Sequence, residues 1–191
     1  MGANTRGPNP WRRIGIAGKS HFVALLYNEP TKRLIACFNR EVASGLSVGT
    51  LYHRRRFEHT YTTVFQPDLS VSYEFPVTPL KAPFLFFNAV RWRKSSKGWG
   101  GDWLSVSRLN LRSGKLSPVL TPSSLVPPRG YASGWISSIL EASEHGEMLL
   151  CKMGLERKVR ARRTRVDYSL CRVDLGSGKI RIVAELPDAF L

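Results

Sequence analysis

Clusters of arginine and lysine are the residues of this sequence whose types and spacing could do chemistry. Six cations stand among the ten residues 156–165, and further clusters occupy residues 53–56 and 91–97. Guanidinium groups pair bidentately with phosphate, and Trp92 and Trp99, within and beside the last cluster, could stack on bases. The candidate polyanion-binding residues are Arg54, Arg55, Arg56, Arg91, Arg93, Lys94, Arg157, Lys158, Arg160, Arg162, Arg163 and Arg165.

The overall charge points in the same direction. The 191 residues include 29 lysines and arginines against 14 acidic residues, for a formal net charge of +15 and a pI of about 10.4. Such an excess attracts nucleic acid, acidic membranes, acidic glycans or acidic proteins. Alternatively, each cluster is a solvated loop, or one basic face docks on a larger acidic assembly. What separates these readings is whether the clusters share one face.

Motifs for catalysis or metal binding do not emerge from the sequence. Residues 18–20 read Gly-Lys-Ser, but a P-loop needs a glycine where Arg13 stands. The four histidines have no zinc-site spacing. Asp102 and Asp167 open predicted strands and could form an acid–base pair, or simply form turns. We therefore predict no catalytic residue, metal site or cofactor, and the sequence favours a protein that is not an enzyme.

Cysteine usage and the first residues bear on the compartment. Cys37, Cys151 and Cys171 are spaced too widely for a disulfide framework or a paired metal site, and two of them lie in apolar runs, which predicts buried thiols. Residues 1–13 lack the apolar stretch of a secretory signal, and no run approaches the roughly 18 apolar residues of a membrane span. These features predict a cytoplasmic protein without a membrane span.

Apolar runs rich in β-branched and aromatic residues alternate with short, turn-rich connectors. No segment keeps a helical period over about twelve residues, although residues 40–50 could hold a short helix or a loop. The composition of residues 94–101 and 157–165 predicts loops, and the second of these is predicted to be a projecting hairpin loop. This pattern predicts an all-β sandwich, barrel or propeller. The predicted strands are residues 22–27, 34–38, 60–65, 70–75, 84–92, 102–111, 115–120, 135–142, 148–154, 166–175 and 179–186.

One strand–turn–strand segment occurs twice. Residues 108–116 (RLNLRSGKL) and 172–180 (RVDLGSGKI) are identical at five of nine positions and lie 64 residues apart. In each copy Asn110 or Asp174 can cap the turn, and the glycine permits positive φ. A supersecondary unit repeated at a fixed spacing is typical of repeat architectures. Residues 26–34 are a much weaker third candidate.

With these motifs, residues 135–186 resemble one four-stranded blade of a TolB-like or WD-repeat β-propeller. Residues 143–149 and 174–179 stand where such blades carry an acidic-glycine turn and a polar-x-Ser/Thr-Gly-Lys turn. The Trp-Asp ending and Gly-His opening are missing, and the offset exceeds the roughly 40–50 residues of a usual blade. The resemblance implies an all-β, propeller-like fold of antiparallel four-stranded blades that could be incomplete; the alternative is a β-sandwich or barrel.

The predicted organisation is a flexible basic lead followed by one β domain. The ranges are residues 1–20 for the lead and 21–191 for the domain, with blade-like units at about 21–59, 60–120 and 135–186.

Three functions are compatible with these features. A propeller-like fold is a rigid scaffold whose loops carry function. We therefore predict a non-catalytic binding or scaffold module that engages a protein partner, a second copy or another macromolecule. The alternatives are a nucleic-acid or ribonucleoprotein-binding protein that uses the basic loops, and an enzyme or the substrate-gating domain of one.

Overall fold

The structure, a computed structural model, describes residues 20–43, 46–55, 62–63, 71–95, 98–160 and 163–187. In these residues, twelve strands form three antiparallel sheets of four strands each, in sequential strand order. The first sheet contains β1 (Ser20–Asn28), β2 (Arg33–Ala43), β3 (Leu46–Arg55) and β4 (Thr62–Thr63), with a short 3-10 helix at Glu29–Thr31. The second contains β5 (Val71–Val77), β6 (Phe84–Ser95), β7 (Gly98–Asn110) and β8 (Leu116–Leu120). The third contains β9 (Ser133–Ala142), β10 (Met148–Arg160), β11 (Arg163–Asp174) and β12 (Ile180–Glu185).

The second sheet lies between the other two and is apolar on both faces. Successive residues of a strand point to opposite faces of the sheet. Leu85 and Phe87 therefore share one face, where they form a core cluster with Ile35 of the first sheet. Phe86 faces the other way and packs with Leu149 of the third sheet. This burial on both sides explains why the start of β6 reads as an almost continuous apolar run.

The turns between the first and second strands of the three sheets contact one another at one end of the molecule. The buried side-chain amide of Asn28 donates to Thr78 Oγ1 at 2.7 Å. The Lys81 N–H donates to the Glu144 carbonyl at 2.8 Å. We call this end the turn end. Because consecutive strands are antiparallel, the second strand of each sheet ends, and the third begins, at the opposite end, which we call the hairpin end.

The turns between third and fourth strands of the last two sheets also lie at the turn end. The Leu111 N–H donates to the Pro83 carbonyl at 2.8 Å, and the Leu175 N–H donates to the Glu147 carbonyl at 2.9 Å. The turn end is thus formed by residues 28–32, 78–83, 111–115, 143–147 and 175–179. The hairpin end is formed by the last residues of β2, β6 and β10 and the first residues of β3, β7 and β11.

The repeated segment forms the same turn in the second and third sheets. Asn110 Oδ1 accepts the Arg112 N–H at 2.9 Å, and Asp174 Oδ1 accepts the Ser177 N–H at 2.7 Å. The glycines that follow have positive φ in both copies, 71° and 68°. The weak third candidate at residues 26–34 is not a copy, because it forms the turn between the first and second strands of its sheet.

Asp174 makes the stability of its turn depend on pH. Hydrogen bonds from the hydroxyl and the N–H of Ser177 lower the pKa of this carboxyl below its usual value. A lowered folded-state pKa stabilises the protein above the unfolded pKa, and the gain is lost as the pH falls through the folded one. We expect Asp174→Asn, which keeps the acceptor oxygen, to reduce the acid-dependent fall in Tm between about pH 5 and 2. Thermal scans across this range measure it, and an unchanged fall would contradict it.

Two free cysteines face each other across the third sheet. Cys151 and Cys171 are directly opposite in β10 and β11, and both side chains are fully buried. Burial raises the pKa of Cys171 to about 11, and burial together with the neighbouring thiol raises the pKa of Cys151 further. The prediction of buried thiols is confirmed at these two positions.

The predictions of a short helix or a loop at residues 40–50, and of loops at residues 94–101 and 157–165, are wrong. Strands β2 and β3, β6 and β7, and β10 and β11 run through most of these segments. Polar and glycine-rich composition signals exposure to solvent, but a strand that extends past the core needs only its ladder hydrogen bonds and no apolar face.

The fold class is all-β with propeller-like four-stranded antiparallel sheets, as predicted. The division into a lead and a single domain, and the assignment to a TolB-like or WD-repeat family, stay predictions. No helix in the described part of the chain has the length and apolar character needed to cross a membrane.

Candidate polyanion-binding site at the hairpin end

The largest basic cluster lies on the ladder formed by the ends of β10 and β11. Leu155 is the last fully buried residue of β10, and beyond it the side chains of Arg157 and Lys158 are exposed. The ladder pairs Arg157 with Arg165, Lys158 with Thr164, and Arg160 with Arg163. The cations therefore project from a paired two-stranded extension and not from a loop.

Asp167 fixes the base of this extension. Its Oδ2 lies 3.0 Å from Arg157 Nη2, and its Oδ1 lies 2.8 Å from Arg165 Nε. Arg157 and Arg165 face each other directly across the ladder, and like charges in that position repel. The half-buried Asp167 carboxylate offsets this repulsion and orients both guanidinium groups.

Tyr131, which precedes β9, completes the arrangement. Arg157 Nη2 donates to the Tyr131 hydroxyl at 2.8 Å, and that hydroxyl donates to Asp167 Oδ2 at 3.3 Å. The Arg157 guanidinium also lies 4.9 Å from the centre of the Tyr131 ring. The hydrogen bond to Tyr131 and the charge of Asp167 raise the pKa of Arg157 above its usual value. The position of Arg157 is thus set by three contacts.

A groove of about 260 Å³ lies beside this arrangement, but its charges are balanced. Two arginines and two carboxylates line it, so it offers no excess positive charge to an anion. Beyond the groove the ladder continues through the exposed Lys158, which pairs with Thr164, to the pair Arg160 and Arg163. The groove residues are Arg157, Arg165, Asp167, Tyr168, Glu185 and Leu186.

The second sheet carries a smaller cluster on the corresponding strands. Arg91 is half-buried and pairs in the ladder with Asp102, and Lys94 pairs with Trp99. Arg93 Nε lies 2.9 Å from Asp102 Oδ2, with both side chains largely exposed. In both sheets, therefore, an arginine of the second strand is bound to an aspartate of the third strand.

The structure brings two of the three predicted clusters to the same end. The clusters at residues 91–94 and 157–165 both lie toward the hairpin end of neighbouring sheets. Arg54 and Arg55 close β3, where Arg55 pairs with Arg33 just after the first turn, so they lie at the turn end. Arg56 and Arg162 lie outside the described residues.

The partners of the arginines were missed from the sequence. Asp167 stands two residues after Arg165, a spacing that places both on one face of a strand, so this contact has a sequence signal. Tyr131 has none, because it is 26 residues away from Arg157 and reaches it only through the fold.

The suggestion of an acid–base pair finds no support. Asp102 and Asp167 lie inside β7 and β11 of different sheets, and each is bound to arginine. The turn-forming role considered for them is also wrong, since both are strand residues. Among the described residues, no three His, Cys, Asp or Glu side chains gather in an arrangement that could hold a metal ion.

Comparison with known proteins gives likeness in structure at low sequence identity. No family model and no curated protein matches the chain. One solved structure, an oligogalacturonate lyase in complex with manganese, is similar at a TM-score of 0.44 and 12% identity. The match covers 88% of this chain and 48% of that one, so this chain spans about half the length of the solved protein. At this level of similarity, nothing about activity follows from it.

Proposed function

We propose that this chain is a non-catalytic binding module whose propeller-like sheets present a basic hairpin end to nucleic acid. The observation that carries the proposal is the position of two basic clusters, more than sixty residues apart in sequence, at the same end of neighbouring sheets. Each cluster alone is a solvated surface. Two on one end form a continuous region of positive potential that a polyanion can follow.

The charge balance at this end supports the proposal. Residues 91–102 and 156–167 together contain ten lysines and arginines but only three acidic residues. Two of those acids, Asp102 and Asp167, are held in ion pairs at the base of the hairpins. The lysines and arginines of these two segments therefore far outnumber the acidic residues, which favours contact with phosphates.

We infer that the hairpin end recognises phosphates in preference to base edges. Contacts from arginine and lysine to phosphate fix position but carry no sequence information. The described residues form strands and one three-residue 3-10 helix, so they provide no helix long enough to enter a groove. We infer binding with little sequence preference, and the buried thiols fit the proposed cytoplasmic location.

Fluorescence anisotropy tests this proposal with labelled single- and double-stranded RNA and DNA of one length. We expect binding whose log–log dependence on salt has a slope of about −4 for single strands and about −5.5 for duplex DNA, the values for six phosphate contacts. A slope near zero, or no binding at low salt, would overturn the proposal. Heparin serves as the comparison: tight binding of heparin with none of nucleic acid would assign the surface to acidic glycans instead.

A further inference from the structure

The third sheet has one covered face and one open face. Leu149, Cys151 and Met153 point toward the second sheet and are fully buried. Their neighbours Leu150 and Lys152 point the other way, onto what we call the outer face of the third sheet. Large apolar side chains are exposed beside this face, among them Met148 at 43% of its surface. The second sheet, in contrast, is covered on both faces.

The internal repeat shows what the outer face corresponds to. Arg172 is the repeat equivalent of Arg108, and in the ladders Arg108 pairs with Phe86 while Arg172 pairs with Leu150. Leu150 thus occupies the position of Phe86. On the second sheet this position is fully buried under the third sheet. The outer face therefore keeps an apolar side chain where a following sheet packs in the rest of the molecule.

A cavity on the outer face of the third sheet lies where, on the second sheet, a turn of the neighbouring sheet packs. The turn between β9 and β10 packs over Phe86 of the second sheet. A Cβ on Gly146 of this turn would lie 3.0 Å from the phenyl ring. On the third sheet, a cavity of about 230 Å³ takes this place, and Met148, Leu150 and Arg172 are among its lining residues. Its position on the third sheet corresponds to the place where the first turn of the third sheet packs on the second sheet.

Charge identifies the kind of turn that fits. In the turn that packs on the second sheet, Glu144 Oε1 lies 2.5 Å from Lys81 Nζ. Glu141 and Arg172 both line the cavity, and Arg172 lies directly opposite Arg181 in the ladder, so two arginines stand against one carboxylate there. Neither arginine has an ion pair within the described residues. Two adjacent like charges repel, so an acidic group there would be stabilised.

The first sheet carries a turn with this chemistry. Glu29 is half-exposed at the tip of the β1–β2 turn, where it is paired only with the exposed Lys32. Tyr27 precedes it on the face directed away from the second sheet, because its neighbour Leu26 packs toward that sheet. Tyr27 is 42% exposed. At its turn, the first sheet therefore exposes an aromatic ring and an acidic side chain.

We propose that the outer face of the third sheet binds the first sheet of a second copy of this chain, with the Glu29 turn seated in the cavity beside Arg172. The contact joins two different surfaces, so it is head-to-tail and can close into a ring. Two copies would bring six sheets together, within the four to eight of known propellers.

Sedimentation velocity across a concentration series, at physiological salt, tests this proposal by charge reversal. We expect the wild type to dimerise, and Arg172→Glu or Glu29→Arg alone to raise the dimer Kd by about tenfold or more. The double variant Arg172→Glu/Glu29→Arg should return to within about threefold of the wild type. A monomeric wild type, or a dimer that both single variants leave intact, would overturn the proposal.

Arg112→Glu is the matched control, because Arg112 is exposed in the equivalent repeat turn but lies outside the proposed contact. It should leave the Kd unchanged, and a loss as large as that of Arg172→Glu would contradict the assignment. None of these substitutions alters the hairpin end, so nucleic-acid binding and self-association can fail independently.

Discussion

The variant Gly178→Ala is expected to lose about 3 kcal/mol or more of the free energy of unfolding. Gly178 has a φ of 68°, where a side chain is strained. A Cβ at this position would lie 1.8 Å from the backbone carbonyl oxygen of Ser124. Backbone cannot move aside as the tip of a side chain can, so the loop before β9 would be displaced.

That displacement would break contacts that tie the loop to the third sheet. The Val126 N–H donates to the Gly178 carbonyl at 2.9 Å, and the Ile180 N–H donates to the Val126 carbonyl at 3.3 Å. Leu125 beside them is buried in the core between the second and third sheets. Gly178 thus lets the repeated turn of the third sheet dock against the segment that enters the same sheet.

Gly176→Ala provides the matched control two residues earlier in the same turn. A Cβ on Gly176 would meet only Asp174 Oδ1 at 3.5 Å, an ordinary contact. We expect this variant to stay within about 0.5 kcal/mol of the wild type in urea unfolding. Equal losses in the two variants would mean that the turn itself, and not the close approach to Ser124, limits substitution.

The repeated turn could be predicted from sequence because its determinants are local. Asn110 and Asp174 accept hydrogen bonds from N–H groups two or three residues ahead, and each turn glycine follows at a fixed distance. All of this lies within a few residues of chain. The packing of Gly178 against Ser124 could not be predicted, because it joins positions 54 residues apart through the fold.

The ends of the strands were the least predictable part of the fold. A basic stretch such as residues 157–165 has the composition of a loop. The structure reveals that it is a paired ladder, in which Arg157 lies opposite Arg165. Where a strand passes the edge of the core, apolar periodicity stops while backbone pairing continues. The sequence pattern therefore reports the edge of the core and not the end of the strand.

The residue types of the candidate site could be predicted, but their arrangement needed the topology. The clusters at 91–94 and 157–165 share an end because each lies where the second strand of its sheet ends or the third strand begins. Arg55 closes a third strand and so lies at the other end. The role of Tyr131 in positioning Arg157 depends on tertiary contact alone.

The two proposals reinforce each other if both hold. In a ring of two copies, the two-fold axis passes through the centre of the ring, perpendicular to its plane. The hairpin ends of both copies would therefore face the same side. The number of basic hairpins available to one polyanion would double, and the second contact would become intramolecular. Charge reversals at Arg172 that prevent dimerisation would then also weaken binding to long nucleic acids more than binding to short ones.

A pair of charge-matched triple variants tests the central claim most directly. Lys158→Ala/Arg160→Ala/Arg163→Ala removes three cations of the hairpin end, and Arg112→Ala/Lys115→Ala/Lys179→Ala removes three exposed cations of the turn end. Both lower the net charge equally, so any difference between them reports position.

The measurement is RNA anisotropy at several salt concentrations. The hairpin-end variant should lose about tenfold or more in affinity, and its salt slope should become shallower by about 2 to 3, because up to three phosphate contacts are removed. The turn-end variant should bind within about twofold of the wild type. Equal losses in the two variants would show that net charge alone carries the binding, and would contradict a site at the hairpin end.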